Sequence, residues 1–112
     1  MYFFNIPSMT YHKKRAGVFI KSITGEKSQL AFIRLESGQV TNHQHPHEQM
    51  GYILAGHVEI TIDGHTNVLG PGDAYYIPGN APHGFSVPPG ADVEYLEIFC
   101  PPKEENKTCP NF

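Results

Sequence analysis

Three histidines and one glutamine have the residue types and the spacing of a metal site. His43 and His45 are two positions apart, so their side chains point to the same face if the segment is a β-strand. Gln49 follows with the same parity, and His83 would have to arrive from another strand. Neutral imidazoles are the commonest ligands of divalent first-row metals, and an amide carbonyl can add a neutral oxygen. Such a set leaves one or two coordination positions open for water or substrate, as in a catalytic site.

A pair of histidines two residues apart also occurs as surface decoration or as a packed polar pair, so this motif alone does not decide. The composition gives a second lead, because the chain has seven histidines against eight lysines and arginines. His12, His57 and His65 have no partner that the sequence identifies, and we expect them at the surface. Pro46 makes the direction of His47 uncertain, and we expect that side chain to face solvent.

The remaining sequence predicts the β-strands and turns that would position these side chains. Eleven glycines and ten prolines punctuate the chain, and no segment sustains an apolar period near 3.6 residues. Val58, Ile60 and Ile62 alternate with polar residues, and Asp63-Gly64 fits a tight hairpin turn. Further strands are predicted over residues 30–35, 50–55, 66–69, 74–77, 83–87 and 93–99. With about eight or nine short strands, the prediction is an all-β fold, an antiparallel sandwich or a small closed barrel.

The length of 112 residues indicates a single domain over 1–112. Within it we expect an N-terminal arm or edge strand over 1–17 and a polar tail over 103–112 that frays. Charged residues are 17% of the chain and the pI is about 6.1, which excludes the basic surface of a nucleic-acid or anionic-membrane binder. We therefore expect a small-molecule substrate as the partner.

Targeting and redox signals favour a cytoplasmic protein. The apolar residues 2–4 precede the basic residues 13–15, which is the reverse of the order in a signal peptide. No apolar run approaches the roughly 20 residues that a membrane-spanning helix needs. Cys100 and Cys109 are too few for a disulfide scaffold, and we expect free thiols.

Two motifs around the candidate ligands resemble those of the cupin superfamily. The first reads Gly38, His43-x-His45-x3-Gln49-x6-Gly56. The second reads Gly72-x5-Pro78 followed by Ala81-Pro82-His83, after fifteen intervening residues. The resemblance implies a jelly-roll barrel, also called a double-stranded β-helix. It also implies one divalent transition metal (Ni, Zn, Mn, Fe or Co, with the identity open) on His43, His45, Gln49 and His83. A metal-free barrel that keeps these residues for packing is the alternative.

Gln49 stands where the family usually has a glutamate. A glutamate ligand would cancel one unit of the ion's charge, whereas glutamine cancels none. The substitution therefore predicts a weaker metal site but a stronger Lewis acid, better suited to polarising oxygen atoms than to redox cycling. Glu48 has the opposite parity, so we expect it to point outward.

A narrower resemblance concerns small cupins of pectin and alginate breakdown, which help convert ring-form 4,5-unsaturated uronates to linear keto sugars. Residues 43–49 read His-x-His-Pro-His-Glu-Gln, as in those proteins. Their last strand commonly reads Asp-x-Phe-Ser-Pro-x-Arg, and residues 97–103 lie at the matching place. By position, Glu97 is implied as the acidic catalytic group, Phe99 as a pocket wall and Lys103 as the cationic substrate contact. Alternatively, Glu97 pairs with lysines at the surface.

Aromatic side chains suit the walls of a sugar pocket, and we assign Tyr52 and Phe85 to it together with Phe99. The leading functional hypothesis is a metal-dependent enzyme of isomerase or lyase type that acts on a small oxygen-rich metabolite, an unsaturated uronate in particular. The alternatives are a cupin-type metal dioxygenase and a non-catalytic barrel that binds a small ligand such as a sugar. By resemblance, we also expect a homodimer.

Overall fold

The computed structural model describes residues 2–108, which form ten β-strands and two short 3-10 helices. The strands are β1 His12–Arg15, β2 Val18–Thr24, β3 Gln29–Leu35, β4 Val40–His43, β5 Glu48–Ala55, β6 Val58–Ile62, β7 His65–Leu69, β8 Ala74–Ile77, β9 His83–Ser86 and β10 Val93–Cys100. The 3-10 helices are Ile6–Ser8 and Glu104–Asn106. All strand pairs are antiparallel, which confirms the predicted all-β jelly roll.

The strands form two sheets that share one apolar core. The larger sheet has the order β1-β2-β3-β10-β5-β8, and the smaller has the order β4-β9-β6-β7. Buried side chains alternate with half-buried or exposed ones along β3, β5 and β10, as expected for sheets with one face covered. Ile53 from the larger sheet and Val58 from the smaller are both fully buried in the same cluster. The sandwich therefore closes around inward-facing residues of both sheets.

The predicted hairpin between β6 and β7 is confirmed. Asp63 and Gly64 both have a positive φ, 48° and 82°, which matches a two-residue type I′ turn. The turn sets the register in which Val58 opposes Leu69 and Ile62 opposes His65.

Strand β2 was not among the predicted strands. Val18 and Ile20 alternate with Phe19 as in a half-buried strand, but Lys21 and Ser22 are buried in succession and obscure the period. The Lys21 ammonium lies inside because it donates a hydrogen bond of 2.9 Å to the carbonyl oxygen of Ile6. A charged side chain can thus be buried when it has a hydrogen-bond partner inside the protein.

The prediction that the tail frays is wrong for residues 103–108. Lys103 and Asn106 are buried, and the tail contacts β2 and β3. Ser22 Oγ donates to the carbonyl oxygen of Asn106 at 2.5 Å, and Gln29 Nε2 donates to that of Lys103 at 3.1 Å. These bonds anchor a polar segment that composition alone describes as loose. Cys109 lies outside the described residues, whereas Cys100 is an exposed free thiol.

None of the helical segments between residues 2 and 108 has the length and apolar character that a bilayer crossing requires.

Candidate active site

A cavity with both polar and apolar walls opens between the two sheets, and most of the candidate site residues line it. Its volume is about 50 Å³, enough for an ion and a few waters at about 10–15 Å³ each. The nominated residues that line it are His43, His45, Gln49, His83, Phe85, Glu97, Phe99 and Lys103. The cavity is also lined by residues that the sequence analysis did not nominate, including Lys14, Arg15, Tyr95 and Asn106.

The three imidazoles converge from two strands and the loop that follows β4. His43 at the end of β4 pairs in register with His83 at the start of β9, and His45 lies two residues beyond. The ring centroids of His45 and His83 are 4.9 Å apart. The His43 ring lies 5.8 Å from that of His83 and 6.4 Å from that of His45. Antiparallel pairing of β4 with β9 thus brings together histidines that are forty residues apart in sequence.

The imidazoles are held in the neutral form that metal binding needs. Burial, reinforced by the charge of Lys103, lowers the pKa of both His43 and His45 to about 4. Burial also lowers the pKa of His83. His83 Nδ1 lies 2.9 Å from the carbonyl oxygen of Ala81, which can only accept, so the proton is on Nδ1 and the Nε2 lone pair is available.

Gln49 is oriented by an acidic neighbour. Its Nε2 donates a hydrogen bond of 2.5 Å to Glu97 Oε2, which leaves the amide oxygen Oε1 for another partner. Within residues 2–108 that buried oxygen has no hydrogen-bond partner, and neither has the buried Nδ1 of His45. A buried polar atom without a partner costs about 1–3 kcal/mol, so both atoms are suited to receive a ligand.

The donor atoms are of the types that bind a divalent transition metal. However, the His43 ring lies too far from the other two rings for all three imidazoles to bind one ion as they are placed. Two imidazoles that bind one ion at adjacent positions have ring centroids about 5 Å apart, given metal–nitrogen distances near 2.1 Å. His45 and His83 meet this spacing. Within the described part of the chain, no three His, Cys, Asp or Glu side chains form a ready-made metal site. The His43 ring would have to move inward, away from Arg15, whose Nη2 donates to its Nε2 at 3.4 Å.

Glu97 is a buried acid that lines the same cavity as the imidazoles. It lies on β10 between Ala31 of β3 and Gly51 of β5. Burial raises its pKa to about 7, opposed by hydrogen bonds from Tyr75 and Gln49 and by the charge of Lys103. The alternative of a surface pair with lysines is therefore wrong, because Glu97 is only 3% exposed.

Tyr75 is a contact of Glu97 that the sequence analysis missed. Its hydroxyl donates to Glu97 Oε2 at 2.5 Å across Gly51, which opposes Tyr75 in the β5–β8 register. A Cβ on Gly51 would overlap the Tyr75 ring, so only glycine lets the phenol reach across the strand. The glycine at position 51 was the one signal in the sequence for this contact. It can be used only when the register between β5 and β8 is known.

Three cationic side chains line the cavity, namely Lys14, Arg15 and Lys103. Lys103 Nζ lies 2.7 Å from Glu105 Oε1, and Lys14 Nζ lies 3.4 Å from the same oxygen. Lys14 also donates to Asn106 Oδ1 at 2.7 Å. Lys103, nominated as the substrate contact, thus lines the cavity with its charge already paired.

The structure corrects the assignment of Tyr52. Gln49, Gly51 and Ile53 point inward along β5, so Tyr52 lies on the outer face, is 44% exposed and does not line the cavity. Phe85 and Phe99 do line the cavity, and the Phe99 ring lies 6.3 Å from that of His45.

Two residues near the first motif can also be placed. Glu48 points outward as predicted and accepts a hydrogen bond of 2.9 Å from Tyr76 on the outer face. His47 is only half-exposed, with its ring 5.2 Å from that of His45 and edge-on to it, which corrects the prediction that it faces solvent.

Comparison with known proteins agrees with this architecture. The family profile described as "Cupin domain" matches residues 31–99. The pectin degradation protein KdgF of Dickeya dadantii is 42% identical over 45 residues, which are 39% of this chain and 41% of that protein. Dimethylsulfoniopropionate lyase DddQ of Ruegeria pomeroyi is 48% identical over 42 residues, which are 37% of this chain and 21% of that protein. The aligned stretches thus span less than half of either curated relative.

A solved structure extends the likeness to nearly the whole chain. KdgF from a Halomonas species superposes with a TM-score of 0.85 at 26% identity, covering 92% of this chain and 96% of that one. Because the family profile covers more than half of the sequence and the jelly roll is complete in the described residues, the chain belongs to the cupin superfamily and resembles its pectin-degradation members.

Proposed function

We propose that this cupin is a metal-dependent enzyme that opens or isomerises a small unsaturated uronate. The observation that carries the proposal is the juxtaposition of a buried acid, Glu97, with three neutral imidazoles and an amide oxygen in one cation-rimmed cavity. The likeness to proteins named for pectin degradation supports the choice of a sugar acid.

The metal would be held by the donor set already described, His43, His45, His83 and the oxygen of Gln49. A bound divalent ion would act as a Lewis acid on an oxygen of the substrate. The four protein ligands are all neutral, so they would leave the charge of the ion undiminished. This favours polarisation of substrate oxygens over oxygen redox chemistry.

Glu97 would move the proton. Its pKa of about 7 means that both the acid and the carboxylate are present near neutral pH, which is the optimum for proton transfer in both directions. In ring opening, the carboxylate takes the proton of the anomeric hydroxyl, a carbonyl forms at the anomeric carbon, and the bond from that carbon to the ring oxygen breaks. The electron pair leaves with the ring oxygen as the enolate of the 4,5 double bond. Return of the proton to carbon 4 converts this enolate to a ketone at carbon 5, so the net change is an isomerisation. Tyr75 and Gln49 fix the carboxyl group by hydrogen bonds to one of its oxygens.

The cations at the rim favour an anionic substrate. Lys14, Arg15 and Lys103 line the cavity together with one acid, Glu97, and Glu105 pairs with Lys14 and Lys103 from outside the lining. Three cations against these two acids leave the rim with excess positive charge. A uronate carboxylate complements that charge. A substrate with a sulfonium group, such as the one for which the Ruegeria relative is named, would bring a positive charge against it.

The proposal is tested with metal-loaded protein and a 4,5-unsaturated uronate. Loss of the ultraviolet absorbance of the conjugated double bond, without oxygen uptake, is the expected result. Oxygen uptake coupled to substrate loss would favour the dioxygenase instead. Tight binding of the sugar acid without any turnover would identify a binding barrel.

Gln49→Glu tests the role of the neutral ligand. The substitution places a second carboxylate against Glu97, which lies 2.5 Å from the Gln49 amide nitrogen. The added negative charge is expected to tighten metal binding. Turnover should slow, because the ion becomes a weaker Lewis acid and the second carboxylate raises the pKa of Glu97 further. Glu48→Gln is the matched control, since Glu48 is next in sequence and bonded to Tyr76 on the outer face. Unchanged metal affinity and unchanged turnover in Gln49→Glu would contradict the role assigned to the amide.

A homodimer is part of the proposal. The outer face of the larger sheet carries exposed apolar side chains, namely Met50, Tyr52, Leu54, Tyr76 and Ile98. An exposed apolar patch of this kind is typical of an interface. Sedimentation equilibrium is expected to give twice the chain mass, and Tyr52→Glu to shift it to the monomer.

A further inference from the structure

The edge strand β1 carries an irregularity next to the cavity. Lys13 opposes Phe19, whereas Arg15 opposes Val18, so two residues of β1 stand against one step of β2. In a regular strand, consecutive side chains point to opposite faces. Here both Lys14 and Arg15 line the cavity. A β-bulge of this type redirects a side chain, and in this case it adds a guanidinium to the rim.

Arg15 differs from the other two cations of the rim in its partners. Lys14 and Lys103 share Glu105, at 3.4 and 2.7 Å. Within residues 2–108, no acidic group forms an ion pair with Arg15. Among the described residues, its one side-chain hydrogen bond is the 3.4 Å contact from Nη2 to His43 Nε2, an uncharged acceptor. A guanidinium has five donors in a planar fork, so most donors of the exposed Arg15 side chain have no partner in this part of the chain and are open to solvent or a ligand.

We propose that Arg15, presented by the bulge in β1, is the residue that binds the carboxylate of the substrate. The inference rests on the proposed function and specifies how its substrate class is recognised. The guanidinium matches a carboxylate with two parallel hydrogen bonds, whereas the ammonium of Lys103 is a point charge already neutralised by Glu105.

The contact with His43 connects Arg15 to the centre of the cavity. A lone pair serves one partner at a time, so His43 cannot hold a metal through Nε2 and accept from Arg15 together. If His43 held a metal, the guanidinium of Arg15 would lose this contact and would be available to a carboxylate in the same cavity.

The test uses binding of galacturonate, a saturated uronate, by calorimetry on the metal-loaded full chain. Loss of the charged bidentate contact in Arg15→Gln is expected to weaken binding roughly 10- to 100-fold. Arg15→Lys is expected to recover part of this loss, since the charge returns without the fork. The methyl ester of galacturonate lacks the charge, so wild type and Arg15→Gln are expected to bind the ester equally. Lys13→Gln, an exposed neighbour that does not line the cavity, is the matched control and is expected to match wild type.

The outcomes separate this inference from the proposed reaction. Binding of galacturonate that weakens in Arg15→Gln supports the role of Arg15 even if no unsaturated uronate is turned over. Turnover with an unchanged KM and unchanged galacturonate affinity in Arg15→Gln would overturn the role of Arg15 and leave the reaction in place. Equal losses for the acid and its methyl ester would also overturn it, because they would show a steric effect instead of recognition of charge. Thermal unfolding of each variant near that of wild type verifies that the fold is intact.

Discussion

Strands β5 and β10 contribute inward side chains both to the apolar core and to the candidate site. We call the part around Ile53 the apolar half and the part around Glu97 the polar half, and the two can be compared directly. On β10 and β5, Tyr95 opposes Ile53, and two steps further Glu97 opposes Gly51. Ile53 and Glu97 are both almost completely removed from solvent, with exposed fractions of 0% and 3%. Burial is therefore nearly the same at Ile53 and Glu97, while their side-chain chemistry differs. The comparison teaches that inward parity predicts where a residue lies, but not whether it stabilises or reacts.

The two halves should also contribute to the free energy of unfolding with opposite signs. Full burial of an aliphatic side chain such as Ile53 stabilises the fold by about 1.5–3 kcal/mol. The site instead buries the carboxyl group of Glu97 and leaves Gln49 Oε1 and His45 Nδ1 without partners in the described residues. Such groups are kept at a cost in stability when they serve a function.

The largest effect is expected for His45→Ala in the polar half. The change removes one imidazole of the proposed ligand set, so turnover should fall to background, beyond the about 10²- to 10⁴-fold that a proton-transfer group supplies. The melting temperature of the metal-free protein should change little, since His45 is half-exposed. Steady-state kinetics on an unsaturated uronate, with the exposed His12→Ala as control, measures the loss. Full activity in His45→Ala would exclude a catalytic metal at this position.

Glu97→Gln should come next, with a loss in kcat of about 10²- to 10⁴-fold. A glutamine oxygen can accept from both Tyr75 and Gln49 as Glu97 Oε2 does, so the fold and the cavity should persist. The variant should keep its affinity for galacturonate, which separates proton transfer from binding. A kcat within threefold of wild type would show that the proton is moved by another group.

Ile53→Ala in the apolar half should give the opposite signature. Truncation of a fully buried isoleucine costs about 2–5 kcal/mol in the free energy of unfolding, while KM and kcat should stay within a few-fold. Leu54→Ala is the matched control, because Leu54 is next in the strand and is 45% exposed. Denaturant unfolding of both variants measures the difference. Equal losses in the two variants would mean that the inner and outer faces of β5 are not distinguished as described.

The raised pKa of Glu97 should also make the free energy of unfolding depend on pH, which is a smaller effect than those of the preceding substitutions. The pKa of Glu97 rises from 4.5 in the unfolded chain to about 7 in the fold, so the folded protein keeps a proton that the unfolded chain has lost between these values. The stability that this group contributes is complete below pH 4.5 and is lost as pH rises through 7, by about 3 kcal/mol. The lowered pKa values of His43 and His45, about 4, act in the opposite direction, since they favour the fold increasingly from pH 4 to 6.5.

Comparison with Glu97→Gln isolates the acid. In metal-free protein, wild type should lose about 2–3 kcal/mol relative to this variant between pH 5 and pH 8, because a part of the effect is already lost at pH 5. Denaturant unfolding at the two pH values gives the difference. The same pH dependence in both proteins would contradict a raised pKa for Glu97.

Much of this arrangement could be predicted from the sequence where period and motif coincide. The alternation of Val58, Ile60 and Ile62 and the Asp63-Gly64 turn fixed a hairpin that the structure contains. The two motifs nominated side chains that meet in one cavity. Tyr52 could have been placed correctly as well, because it lies an odd number of residues from the inward Gln49.

Other features depend on register and irregularity, which a single sequence does not reveal. Tyr75 reaches Glu97 only because Gly51 lies between them in neighbouring strands. Arg15 enters the cavity through a bulge that breaks the period of two. Residues 103–108 are fixed by hydrogen bonds from Ser22 and Gln29, which composition cannot indicate.

The central claim is that the polar half of the interior is a metal site, and the metal content of untagged, extensively dialysed protein tests it most directly. Mass spectrometry is expected to find close to one divalent transition metal per chain in wild type and almost none in His45→Ala. A wild-type value near zero that resists reconstitution would contradict the account, since the three imidazoles and Gln49 would then not be a ligand set.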